Sequence, residues 1–204
     1  MDGSARNKKG SNRERYFAKK LSEWSGEHVM RTLASGAGGT RAVSEIRMTG
    51  DLFFPINSNN CFSYEVKDHQ STRLSQVFNN NGDIPSFWQQ CTTDALRLKK
   101  YGIVPVLLFH VKRERDYVLI PYNKDFYMKL LDNGKHAQVQ LTSYMDDMLK
   151  KEKKYMTILT DIDGFCSVPA QDLFSMYRGL DFNKLNKNNK TEELNLNKLI
   201  DIDL

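Results

Sequence analysis

Gly50-Asp51-Leu52-Phe53-Phe54-Pro55, a polar turn through Asn57–Asn60, and Cys61-Phe62-Ser63-Tyr64-Glu65-Val66-Lys67 make up the stretch on which the fold turns. Two apolar runs of strand-like composition flank a turn rich in Asn and Ser, which is the pattern of a β-hairpin. The second run alternates: Phe62, Tyr64 and Val66 take one face, and Ser63, Glu65 and Lys67 take the other. Pairing of the two strands brings Asp51 close to Glu65. Two carboxylates and an ammonium at the end of a hairpin suit a divalent cation beside a general acid/base or charge-stabilising group.

On the N-terminal side, residues 1–10 read as a disordered basic arm. Ser11 has the chemistry of a helix N-cap, and Glu14 three residues later completes a capping-box pattern. Phe17, Leu21 and Trp24 follow at helical spacing as a buried stripe, and Gly26 ends the helix. A short strand is expected over 28–33. The run Ser35-Gly36-Ala37-Gly38-Gly39-Thr40-Arg41 can expose backbone N–H groups to phosphate. It is neither a P-loop nor a dinucleotide fingerprint, since no Gly-Lys-Ser/Thr and no G-x-G-x-x-G occurs there.

On the C-terminal side, Ser86 is expected to cap a helix over 87–100, with Phe87, Cys91, Ala95 and Leu98 on its apolar side. Gln89 and Gln90 lie in its first turns. Ile103–Val111 is a nearly unbroken apolar run and reads as a buried central strand. Lys112–Asp116 is a charged turn, and Tyr117–Ile120 a pairing strand. The order helix, strand, hairpin, helix, strand predicts an α/β fold with a mixed sheet flanked by helices. Further on, helices are expected near 124–131, 143–151 and 170–178, with strands near 137–141 and 155–159. Asp161-Ile162-Asp163-Gly164 lacks the rest of a calcium loop and reads as a turn. Residues 181–204 read as a flexible tail, leaving one domain over 11–180 with its core in 11–121.

A chain of 204 residues with 40% hydrophobic and 11% aromatic content can bury a substantial core. No run approaches the ~20 apolar residues that span a bilayer, and the polar, basic N-terminus carries no signal-peptide core. A cytoplasmic protein, prokaryotic or viral in a host cell, is the expectation. Cys61, Cys91 and Cys166 have no metal-site spacing and read as reduced, mostly buried thiols. The net charge of +5 is uneven. Residues 1–20 hold Arg6, Lys8, Lys9, Arg13, Arg15, Lys19 and Lys20 against Asp2 and Glu14. That balance suits a polyanionic partner such as nucleic acid.

Asp51, thirteen intervening residues and then Glu65-Val66-Lys67 resemble the PD-(D/E)XK nuclease superfamily. The order of elements is similar to its Holliday junction resolvase branch, of phage and archaeal type: a helix with a Glu, a Gly/Ser loop, the Asp hairpin, Glu-X-Lys, then a helix with a Gln. The Pro that this family places before the Asp is Gly50 here. The resemblance implies a restriction-endonuclease-like core and a Mg2+-dependent DNA endonuclease, with Mn2+ as a substitute ion. It implies Asp51, Glu65, the Val66 carbonyl and Glu14 as metal ligands. Lys67 joins Asp51, Glu65 and Glu14 as catalytic residues. Arg13, Ser35, Gly36, Arg41 and Gln89 become nucleic-acid contacts, with Gln90 the alternative to Gln89. Branched DNA as partner and a homodimer follow from the same source. Glu14 as a plain cap, a restriction- or repair-type endonuclease on duplex or flapped DNA, and a non-catalytic DNA-binding protein of the same fold stay open as alternatives.

Overall fold

The computed structural model describes residues 3–32, 50–98, 102–146 and 149–182. Its elements run α1 (Gly3–Ser25), β1 (Met30–Arg31), β2 (Leu52–Phe53), β3 (Phe62–Lys67), α2 (Leu74–Phe78), α3 (Ile84–Arg97), β4 (Val104–His110), β5 (Asp116–Pro121), α4 (Lys124–Asp132), β6 (Ala137–Asp146), β7 (Lys151–Asp161), α5 (Ile162–Phe165) and α6 (Ala170–Tyr177). The strands form one seven-stranded sheet in the order β1-β2-β3-β4-β5-β7-β6. Only β3 and β4 pair in parallel; every other neighbour is antiparallel. This is the mixed α/β sheet that the sequence predicts, consistent with a restriction-endonuclease-like fold.

β4 explains why its run is apolar at nearly every position. Val104, Val106 and Leu108 enter one core, with Phe17, Leu21, Phe126, Leu173 and Phe174 of the helices on that side. Leu107 and Phe109 enter a second core, with Phe87, Trp88, Cys91 and Ala95 of α3. A strand covered on both faces has no polar side to alternate with. β3 differs: Phe62, Tyr64 and Val66 join the first core, while Ser63 and Glu65 are buried on the other face. The fold therefore buries a carboxylate close to the end of a central strand.

α1 begins at Gly3, so Ser11 lies inside the helix and does not cap it, and residues 3–10 are helical rather than a disordered arm. Phe17 and Leu21 are buried as expected, and Trp24 Nε1 donates to the Val168 carbonyl at 2.8 Å. α3 starts three positions ahead of the expected residue 87, with Pro85 in its first turn, where a missing N–H costs nothing. Ser86 is thus inside α3, and its hydroxyl donates to the Asp83 carbonyl at 2.8 Å.

The largest correction is over 143–151, where a helix was expected. β6 continues to Asp146 and turns into β7. Tyr144 and Tyr155 stack across the pair with ring centroids 5.9 Å apart, and the hydroxyls of Thr142 and Thr157 meet at 2.8 Å. Such cross-strand pairs, together with burial of both tyrosines, outweigh local helix preference. Asn80, from the turn after α2, lies along the outer edge of β6. Its amide accepts from the Ser143 N–H at 2.9 Å and donates to the Ser143 carbonyl at 3.0 Å. Phe182 packs near Tyr155 in the second core, so the packed chain reaches two residues into the expected tail. The rest of that tail, 183–204, lies outside the described residues.

Candidate active site

The hairpin sets the first two groups. Leu52 pairs with Tyr64, and the Asp51 N–H donates to the Tyr64 carbonyl at 2.8 Å. Antiparallel register then puts Asp51 opposite Glu65. Asp51 Oδ2 accepts from the Val66 N–H at 2.8 Å, so the strand that carries Glu65 also orients Asp51. Gly50 makes the approach feasible. Its φ is +91°, and a Cβ there would stand 2.5 Å from the Tyr64 carbonyl oxygen. Proline is locked near −65° and cannot adopt that backbone. The departure from the family's Pro at this position thus has a local geometric cause.

Glu65 is 3% exposed, and Lys67 Nζ lies 2.6 Å from its Oε1. The same ammonium donates to Gln90 Oε1 at 2.8 Å and sits 5.5 Å from the centre of the Phe87 ring. Burial, and then the Asp51 charge, push Glu65 up to about 7 against the pull of Lys67. Burial likewise raises Asp51, opposed by the Val66 N–H and by Lys67. Asp94, one helical turn beyond Gln90, adds a negative charge that raises both of them. Its own carboxyl is raised by burial, and Arg97 Nη1 binds its Oδ1 at 2.8 Å. The site concentrates more negative charge than Lys67 offsets.

Glu14 reaches this cluster from α1. Burial, then the Asp51 charge, raise its carboxyl, while Arg31, Arg15 and Lys67 lower it. Arg31 Nε stands 3.5 Å from Glu14 Oε2, and that buried oxygen accepts no hydrogen bond from the described residues. Because α1 begins well before it, Glu14 does not serve as part of a cap. Arg13, expected at nucleic acid, bonds Asp116 at 3.0 Å and faces Asp68 at 3.5 Å. His110 Nδ1 meets the same Asp116 oxygen at 2.9 Å. Arg13 therefore ties α1 to the ends of β3 and β5.

The donor set here is carboxylate and carbonyl oxygen, which suits a hard divalent cation. Asp51, Glu65 and the Val66 carbonyl could hold one, and the charge excess favours it. No three His, Cys, Asp or Glu among the described residues are grouped to hold a metal ion, so Glu14, Asp51 and Glu65 do not converge as three ligands here. Glu14 Oε2, without a hydrogen bond among the described residues, is a buried acceptor facing the same charge field.

Of the two glutamines, Gln90 touches Lys67, not Gln89. Ser35, Gly36 and Arg41 lie outside the described residues. Asp94 and Arg31 belong to the cluster and carried no motif. Asp94 was accessible only through its i+4 spacing from Gln90 on the same helix.

A family model described as "phage putative PDDEXK endonuclease" matches residues 5–175 of the chain. No curated protein and no solved structure matches it.

Proposed function

Because this chain belongs to the family of phage PD-(D/E)XK endonucleases, we propose that it is a Mg2+-dependent DNA endonuclease, selective for branched DNA and above all for four-way junctions. The observation that carries the proposal is the register that sets Asp51 beside Glu65, with the Lys67 ammonium 2.6 Å from the Glu65 carboxylate. The match between element order and the resolvase branch supports the junction. A four-way junction presents two symmetric scissile strands, which supports a homodimer. Action inside a bacterial host cell accords with a phage-type family; no helix among the described residues is long and apolar enough to cross a membrane.

Asp51, Glu65 and the Val66 carbonyl would hold Mg2+, or Mn2+ in its place, with Glu14 beside them. The ion would supply Lewis acidity toward the scissile phosphate and the attacking water. The hydrogen bond from Val66 keeps Asp51 from swinging out of position. Lys67 faces the cluster with its Nζ 2.6 Å from the Glu65 carboxylate. As an ammonium it stabilises negative charge gathering on the phosphoryl oxygens; as an amine it accepts the proton of the attacking water. Gln90 holds Lys67 between these roles by accepting one of its N–H bonds. In the reaction a water oxygen bonds to phosphorus, the bond to the leaving sugar oxygen breaks, and that oxygen takes up a proton.

Labelled four-way junction, flap and plain duplex DNA, incubated with and without Mg2+ and read on a denaturing gel, test the proposal. Nicking of the junction, dependent on Mg2+ and lost in Asp51→Ala, is expected. Preferred cutting of duplex or flap would shift the assignment to a restriction- or repair-type enzyme. Junction binding without nicking would make the protein a non-catalytic binder of the same fold.

A further inference from the structure

Beside the acidic cluster, α1, the short edge strand β1 and its neighbour β2 enclose an open groove of about 610 Å3. That volume is within the roughly 300–1,000 Å3 of ligand sites. Arg15, Lys19, His28 and Arg31 line it, and no acidic residue does among the described residues. Met30 and Phe53, cross-strand partners, supply apolar floor. Phe53 belongs to neither core cluster, and Met30 is 40% exposed. Arg31 also pairs with Glu14, and its charge acts on Asp51, so groove and acidic cluster adjoin.

We propose that this groove takes an unpaired nucleotide of the DNA strand next to the cleavage site: its base against Phe53 and Met30, its phosphates against Arg15 and Lys19. The inference rests on the endonuclease assignment and deepens it by stating what the enzyme selects. A ring flanked by cations matches the surfaces that hold single-stranded nucleic acid, where aromatic groups stack on bases and basic groups follow the backbone. In an uninterrupted duplex every base face is covered by its neighbours, and the floor would have nothing to stack on. A flap or gap frees a base, and at the open centre of a four-way junction each flanking base pair loses the stacking neighbour on one face. An apolar peptide would find the same floor but would bring no anion to the exposed Arg15 and Lys19; Lys19 meets the exposed Glu23 at 3.8 Å, a surface contact that a phosphate can displace.

The test is a binding measurement in EDTA, so that it reads without cleavage. Fluorescence anisotropy compares a labelled duplex with the same duplex carrying a short single-stranded gap, over a range of salt. The wild type is expected to bind the gapped DNA about tenfold more tightly. Phe53→Ala and the milder Phe53→Leu should erase that preference. Arg15→Gln with Lys19→Gln, both exposed, should weaken both DNAs and flatten the salt dependence by roughly 1–2 in log–log slope. Equal affinity of the wild type for the two DNAs overturns the proposal, as does a gap preference that survives both Phe53 changes. So does a solution dimer that Phe53→Leu dissociates, since the groove would then belong to a second copy of the chain. Gap preference without Mg2+-dependent cleavage would sink the endonuclease assignment alone. Cleavage without gap preference would sink the groove alone.

Discussion

The Val66 N–H and Asp51 Oδ2 are 2.8 Å apart, a charge-assisted bond that spans the hairpin and orients the first carboxylate of the site. Asp51→Asn retains an oxygen for that bond and removes only the charge. Its Tm should equal or exceed that of the wild type, while Mg2+-dependent cleavage falls by on the order of 10² or more. Asp51→Ala leaves the Val66 donor unpaired and should cost about 1–3 kcal/mol in urea unfolding as well. Wild-type cleavage by Asp51→Asn would remove Asp51 from the catalytic set.

Lys67 contacts Glu65 but is itself no metal ligand. Lys67→Ala should lose cleavage by about 10² or more and retain Mn2+ binding by calorimetry at mildly alkaline pH, where Glu65 is ionised. Loss of metal binding there would make Lys67 a structural support for Glu65.

Glu65 makes stability depend on pH in a defined direction. Its folded value of about 7 lies above the ordinary 4.5, so the folded state holds a proton that the unfolded chain has released. The stabilisation is complete below 4.5, declines as pH climbs to about 7, and levels off above that. Glu65→Gln should not show this decline. Between ~pH 5 and ~pH 8 the wild type should lose on the order of 1–3 kcal/mol more than the variant in urea unfolding. Parallel pH profiles would show that Glu65 titrates normally.

Gln90 and Gln89 are adjacent, yet only Gln90 accepts from Lys67. Gln90→Ala should lower kcat roughly tenfold with KM little changed, because it acts by holding Lys67. Gln89→Ala should stay within about twofold on the same scale. A reversed ranking would rule out the Lys67–Gln90 contact as the working arrangement.

The parts of the fold set by local pattern were legible in the sequence. Alternation in Phe62–Lys67 and the unbroken run at Val104–His110 each report burial directly, and both became strands of the central sheet. The β6–β7 ribbon was not legible, because Tyr144 and Thr142 find their partners at Tyr155 and Thr157, and the edge contact comes from Asn80. Within the site, Asp51, Glu65 and Lys67 could be named because a hairpin brings near neighbours together. Gln89 and Gln90 could both be named, but which of them meets Lys67 depends on how α3 packs beside β3, which local pattern does not carry. The counter-charges of Arg13, Asp68 and Asp116, lie 55 or more residues away in the chain, so the sequence shows the charge without its partners.

The side chain of Asn80 imitates a neighbouring strand at Ser143, filling one rung of the ladder that a foreign strand would otherwise climb. A two-fold assembly that extended the sheet continuously past β6 would first have to evict this amide. The proposed homodimer should therefore not be built by pairing β6 with a second copy. A chain stripped of that plug is the one in which sticky, ribbon-to-ribbon association and loss of solubility should first appear.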